Sequence, residues 1–354
     1  MIRRTVLSGG ALLLGMFFAL TILEITLRFL PVARAEFAAD PDRDWPAHHL
    51  IPNSDYTFSA GWNFENVRRG HINNMGYVAP FDYLAGTADI AVVGDSFIEG
   101  MMNSYRETLQ GALPNYLDKP ALVMNFGMSG ATLPHDLGVA KLVGERFTPR
   151  WAVVVVTYGS FDGGFKANPG YYRWASGSNP SVELNPETPK GPALKFFRGL
   201  SLTAYARANL GADLGRLLRD RVRAVPGPCV PVSLSASDEQ LIAHFADELP
   251  AAFNLPATRV IIVFDADREA IYKGEWSSTR CAGRDEQARR LLERIAVEDG
   301  MNIIELDPIF RAYFASTGNH LDYSPTDKHW NGAAHILAAK EVAKIINGSL
   351  NAGR

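Results

Sequence analysis

Five short apolar runs constrain this chain more than any other feature. They are Asp89–Gly94 (DIAVVG), Pro120–Gly127 (PALVMNFG), Trp151–Gly159 (WAVVVVTYG), Thr258–Ala266 (TRVIIVFDA) and Met301–Asp307 (MNIIELD). Their apolar character is continuous and rich in branched residues. That pattern marks strands buried on both faces, as in a parallel sheet. Helical segments fall between them: YRETLQGALPNYL after the first run, HDLGVAKLVGERF after the second, SDEQLIAHFADELPAAF before the fourth and RDEQARRLLERIAVEDG before the fifth. In the last of these, Ala288, Leu291, Leu292, Ile295 and Ala296 form one apolar stripe, and Gly300 stands where a helix stop belongs. Alternating strands and helices predict an α/β fold with helices on both faces of a central parallel sheet of about five strands.

The N-terminus has a different character. Arg3 and Arg4 precede TVLSGGALLLGMFFALTIL, which ends at Leu23. About 20 apolar residues suffice to cross a bilayer as a helix. The arginines favour a cytoplasmic N-terminus, which places the body in the periplasm or outside the cell. The rival is a cleaved signal peptide, since Ala33-Arg34-Ala35 resembles an A-x-A cleavage site. Against it, the apolar run exceeds the roughly 7–15 residues of a signal peptide, and Glu24 and Arg28 separate the run from that site. The expected organisation is therefore a membrane anchor over 1–31, a linker and irregular layer over 32–85, and the main domain over 86–350. An insertion at about 163–235, rich in Gly, Pro, Ser and aromatics, interrupts that domain near the carboxyl ends of the strands, where ligand-binding loops collect.

Composition excludes some classes. The chain has 354 residues, 47% hydrophobic and 21% charged, with a net charge of −3 and no long basic run. A nucleic-acid partner needs a concentrated cationic surface, which is missing. The two cysteines, Cys229 and Cys281, are permitted a disulfide if the body is exported. They lack the close spacing of a metal site.

The first apolar run ends in AVVGDSFIEG. A serine hydroxyl needs a base to take its proton, and the base needs a third group to fix its tautomer. Near the C-terminus stands SPTDKHWNGAAHILAAKEVAKIING. Asn331 is a good helix N-cap, Ile336, Ala339, Val342, Ala343 and Ile346 mark the buried face, and Gly348 is expected to follow the last turn. In an extended loop, residues two apart point the same way, so Asp327 and His329 would sit side by side. The bland alternative is a turn with a solvated carboxylate and an incidental histidine. His320, Asp322 and His335 lie nearby, but their spacing matches no strong zinc pattern. No metal and no organic cofactor is expected.

Taken together, VVGDSFIEG resembles the Gly-Asp-Ser motif of the SGNH, or GDSL, hydrolase family. DKHWN resembles that family's C-terminal Asp-x-His block, particularly in membrane-anchored esterase-like and acyltransferase-like members. The match spans most of residues 70–347. It implies a flavodoxin-like three-layer α/β/α sandwich, with Ser96 as nucleophile, His329 as base and Asp327 as orienter. It also implies an oxyanion hole that includes the N–H groups of Ser96 and Gly127. It is not the G-x-S-x-G elbow, because Ile98 stands two residues after Ser96. The chain departs from the family where Gly-x-Asn-Asp is usual. Here Gly159-Ser160-Phe161-Asp162 puts a phenylalanine in the place of a hydrogen-bond donor. Ser160 and Asn125 are candidate replacements, and with Phe161 and Asp162 they are expected to line the substrate site. Asp95 is expected to shape the turn, and Asp265 and Asp267 to cap loops. The implied activity is on ester bonds, as an O-acetyl esterase or O-acyltransferase of acylated cell-envelope carbohydrate. Trp151, Tyr158, Phe161, Tyr171, Tyr172 and Trp174 are available to stack on sugar rings. The alternative is a non-catalytic or partner-dependent carbohydrate-binding envelope protein that keeps the fold.

Overall fold

The computed structural model describes residues 2–34, 39, 45–161, 168–176, 179–186, 191–210, 234–274 and 283–352. The first apolar run forms β3 (Ile90–Gly94), after a preceding hairpin of β1 (Ser54–Ala60) and β2 (Asn66–Ile72). The other runs form β4 (Val123–Gly127), β5 (Trp151–Val156), β8 (Val260–Phe264) and β9 (Asn302–Glu305). Between β5 and β8 lies a short antiparallel pair, β6 (Tyr172–Trp174) and β7 (Val182–Leu184). The five main strands pair in the order β4-β3-β5-β8-β9, all parallel. This is the flavodoxin-like order, in which the first strand of the sheet lies between the second and the third.

Every residue of β3, β4, β5 and β8 is buried, and their side chains alternate between two cores. Ala91, Val93, Phe126, Val154 and Ile262 face the core shared with the helices Leu133–Phe147, Ala236–Ala252 and Arg284–Glu298. Ile90, Val92, Val153, Val155 and Val263 face the core shared with Leu306–Thr317 and Gly332–Ala352. The result is a three-layer α/β/α sandwich.

Several local expectations change. The segment before β3 is more ordered than its polar sequence indicates. β1 and β2 pair in register from Ser54 with Ile72 to Ala60 with Asn66. Trp45, Tyr77 and Tyr83 then pack on Phe126, with ring centroids 6.0, 5.2 and 5.4 Å away. The expected helix after β3 is broken into a 3-10 turn Tyr105–Glu107, a single α-turn Leu109–Ala112 and a second 3-10 turn Leu113–Tyr116, with Pro114 in the last. At the C-terminus Asn331 Oδ1 accepts from the N–H groups of Ala333 and Ala334, as an N-cap does. The helix Gly332–Ala352 runs past Gly348 instead of stopping there. Between β7 and β8 lie the helix Pro192–Arg198, the turn Ser201–Tyr205 and a π-turn over Ala206–Leu210, while residues 211–233 lie outside the described residues. Cys229, Cys281 and Asp162 also lie outside them.

At the N-terminus, one helix spans Ile2–Arg28, and its stretch Gly10–Arg28 is long and apolar enough to cross a membrane. A signal sequence meets the same criterion.

Candidate active site

In an open parallel sheet, the crevice where strand order reverses opens at the carboxyl ends of the strands. Here that place lies between β3 and β5. Asp95 follows β3 and caps the single-turn helix Ser96–Glu99, its Oδ1 accepting from the Phe97 N–H at 2.9 Å. Its Oδ2 accepts from the Thr157 hydroxyl, just past β5, at 2.7 Å. The turn bearing Ser96 is thereby fastened across the reversal point. Burial pushes the Asp95 carboxyl above its ordinary pKa, opposed by the bonds from Thr157 and Phe97. The shaping role expected for Asp95 has this physical form.

His329 arrives from the other end of the chain. The two-residue strand β10 (Asp322–Tyr323) pairs antiparallel with β11 (Asp327–Trp330). Extended backbone over β11 puts Asp327 and His329 on one side. Asp327 Oδ1 accepts from the His329 N–H at 3.0 Å and lies 2.5 Å from Nδ1. His329 Nε2 lies 2.7 Å from Ser96 Oγ. With its proton on Nδ1, the ring donates to Asp327 and accepts from Ser96. Burial disfavours the imidazolium, but the Asp327 hydrogen bond and charge, joined by Asp95 and Glu99, outweigh burial and raise the His329 pKa. Burial likewise works to raise Asp327, and its bonds and charge interaction with His329 outweigh it, so that carboxyl titrates below its ordinary value.

A buried cation stiffens β11. Arg268 opens the helix Arg268–Tyr272, which Asp267 caps through the Ala270 N–H. Its Nη1 donates to Asp265 Oδ1, its Nε lies 3.4 Å from Asp322, and its Nη2 donates to the Lys328 carbonyl at 2.9 Å. Asp265 Oδ1 also accepts from the Trp330 indole at 2.7 Å. The guanidinium lies 5.2 Å from the centroid of the Phe97 ring, and that ring lies 4.9 Å from the His329 ring. Arg268 therefore touches both the serine turn and the histidine strand. Nothing in the sequence around Arg268 marks it, because its partners lie up to 60 residues away. Asp267 has the capping role expected of it, whereas Asp265 belongs to this network.

The remaining expected site residues are engaged by packing and hydrogen bonds within the fold. The Gly127 N–H donates to Asn125 Oδ1 at 2.8 Å. Its missing side chain admits the serine turn: a Cβ there would lie 2.4 Å from the Glu99 nitrogen. Gly127 thus serves strand–helix packing, and its N–H is engaged. Asn125 is fully buried, and its amide donates to the Val78 carbonyl, tying β4 to the N-terminal layer. Ser160 is buried and accepts from the Thr157 N–H at 3.0 Å. The Phe161 side chain enters the core, while its carbonyl accepts from Arg284 at 3.1 Å. Trp151 is buried under the Arg259 guanidinium, 4.6 Å from its ring. His335, weighed as a metal ligand, engages both ring nitrogens: Nε2 lies 3.1 Å from the Asn103 amide and Nδ1 accepts from the Leu109 N–H at 3.1 Å. Burial holds its pKa down to about 3.

Among the described residues, the N–H groups of Ser96 and Gly130 make no backbone or side-chain hydrogen bond. Gly130 has φ +84°, and the space beside its Cα is open. The preceding residue, Ser129, donates its hydroxyl to Glu99 on the serine turn. Gly127, the donor expected from the resemblance, is the last residue of β4, and Gly130 lies three residues past it.

No protein-family model and no curated protein matches the chain. Solved structures do show similarity. One is a member of the lipolytic protein G-D-S-L family from Veillonella parvula, 11% identical, covering 72% of this chain and 96% of that chain at a TM-score of 0.35. Another is LAE5, an alpha/beta hydrolase enzyme from the metagenome of Lake Arreo, Spain, 16% identical, covering 75% and 97% at 0.40. A third is Est24, a carbohydrate acetylesterase from Sinorhizobium meliloti, 9% identical, covering 74% and 100% at 0.38. The likeness is remote and concerns fold.

Proposed function

We propose that this protein is a serine-dependent acyl-ester enzyme, an esterase or O-acyltransferase of the SGNH type. The observation that carries the proposal is the hydrogen-bonded chain Ser96–His329–Asp327 at the carboxyl edge of the sheet. Ser96 Oγ attacks the ester carbonyl, and its proton passes to His329 Nε2. Asp327 remains ionised and stabilises the imidazolium that forms. The N–H groups of Ser96 and Gly130 are the donors offered to the oxyanion. Collapse of the tetrahedral intermediate breaks the C–O bond, and His329 returns its proton to the leaving alkoxide. Water or an acceptor hydroxyl, deprotonated by His329, then releases the acyl group from Ser96.

The proposed substrate is an acylated, in particular acetylated, carbohydrate of the cell envelope. The proposed organisation is an anchor over 1–31, a covering layer over 32–85 and the hydrolase-like domain over 86–350, with the body on the outer side of the plasma membrane. A second reading, a non-catalytic carbohydrate-binding module, is favoured by one observation: Phe161 turns inward where the family places a donor. Loss of one such donor costs on the order of 10²–10³ in rate.

Full-length protein in detergent is expected to hydrolyse p-nitrophenyl acetate and to label with a serine-reactive fluorophosphonate. Ser96→Ala is expected to lose both without loss of thermal stability. A parent protein that neither hydrolyses nor labels, and that Ser96→Ala does not change, sinks the enzymatic reading.

A further inference from the structure

The apolar surface of this protein does not end with its N-terminal helix. The helix Pro192–Arg198 exposes Leu194, Phe196 and Phe197, the two phenylalanines 65% and 58% accessible with ring centroids 5.7 Å apart. Trp62, in the turn between β1 and β2, is 61% exposed. Single exposed apolar residues are ordinary, but a cluster of large aromatic ones marks a contact surface.

The turn that connects these residues is bonded to the N-terminal helix. The Glu24 carboxylate accepts from the N–H groups of Ser201 and Leu202, at 3.1 and 2.8 Å. It thus caps the turn Ser201–Tyr205, against which Pro192–Arg198 packs. The Tyr205 hydroxyl donates to the Trp62 carbonyl at 2.7 Å, and Leu27, Val32 and Ala204 form a small shared core. Glu24 lies four residues before the helix end at Arg28, about 6 Å along the axis. It pairs there with Arg28 at 2.9 Å. The start of the turn Ser201–Tyr205 is therefore held at the level where the apolar stretch gives way to charge, with Pro192–Arg198 packed beside that turn and Trp62 bonded to Tyr205 at its end. That is the depth of the headgroup–acyl boundary, where amphipathic aromatic surfaces settle.

We infer that Pro192–Arg198 and Trp62 form a second, monotopic membrane contact, occupied by the lipid leaflet at the C-terminal end of the N-terminal helix. The inference rests on that helix spanning the bilayer uncleaved. The contact continues the exposed apolar surface of the helix, just past whose end Phe29 is 85% exposed. It gives the body a fixed tilt, since one helix alone leaves rotation about its exit point free.

The test uses the full chain in phosphatidylcholine–phosphatidylglycerol vesicles. A nitroxide is attached through a ketone-bearing phenylalanine analogue at position 197 and, in separate samples, at positions 14 and 297. Val297 is an exposed site on a helix of the main domain. Power saturation compares access of oxygen with access of a water-soluble nickel complex. At 197 the oxygen-to-nickel ratio is expected to follow that of 14, opposite to 297. A ratio at 197 matching 297, with 14 still in lipid, overturns the contact and leaves the spanning helix intact. Nickel access at 14 overturns both. Spin–spin broadening at 197 that grows with the protein-to-lipid ratio assigns the patch to a second copy of the chain and also overturns the lipid contact.

Discussion

His329 is held between one carboxylate and one hydroxyl, and this determines how it titrates. Burial alone would lower its pKa, but Asp327 prevails and raises it. A general base acts when neutral, so the acidic limb of the rate is expected above the ordinary histidine value. Asp327→Asn removes the main raising influence. The limb is expected to move toward lower pH, with kcat down on the order of 10⁴-fold, read from a pH–rate profile. Stability has its own sign. The raised His329 contributes below the ordinary histidine pKa, and this is lost as pH rises through its folded value. The lowered Asp327 contributes above the ordinary aspartate pKa, and this is lost as pH falls through its folded value. The pair therefore stabilises most between the ordinary aspartate and histidine values, and the contribution fades outside them toward the two folded values. The drop in melting temperature of Asp327→Asn is expected to be largest in weak acid and smaller at alkaline pH.

Elements hold these residues in place, and they were unequally legible. The five strands were readable because residues buried on both faces leave an unbroken apolar run; the hairpin β1–β2 was not, since SDYTFSA and NVRRGHI are mostly polar and gain order from pairing. Ser96, Asp327 and His329 could be singled out because each sits at the start of an element or two residues from its partner. Arg268 could not, because the contacts that give it meaning are tertiary. Arg268→Lys keeps a charge between Asp265 and Asp322 but loses the reach to the Lys328 carbonyl. We expect kcat to fall about 10- to 100-fold at unchanged KM, as a small displacement of His329 would cause. Arg268→Met leaves two buried carboxylates unpaired and is expected to cost about 3–5 kcal/mol in denaturant unfolding. Gly348 illustrates a different limit. A glycine inside a helix costs only about 1 kcal/mol against alanine, too little to end a helix held by tertiary packing. Open space surrounds it, so Gly348→Ala is expected to stabilise the fold by about 1 kcal/mol, measured as a shift in the denaturation midpoint.

At the scale of the whole molecule, the two cores flanking the sheet contain, among the described residues, none of the N-terminal helix. The small core of Leu27, Val32 and Ala204 does depend on it, as does the Glu24 cap. A chain lacking residues 1–31 is therefore expected to keep its main unfolding transition. The segment 192–210 is expected to be cut faster than in the full chain in limited proteolysis, with cleavage sites mapped by mass spectrometry. Those 31 residues thus serve the body locally, at the insertion, and leave the sheet to itself.

The bond from His329 to Ser96 closes across 233 residues, and Asn103 reaches the Trp330 carbonyl across 227. In the proposed triad the serine comes first in the chain and its base 233 residues later. A chain broken anywhere between them carries the proposed nucleophile without its proposed base. The chemistry proposed at Ser96 is in this sense a certificate of continuity, issued only when these two distant segments have met.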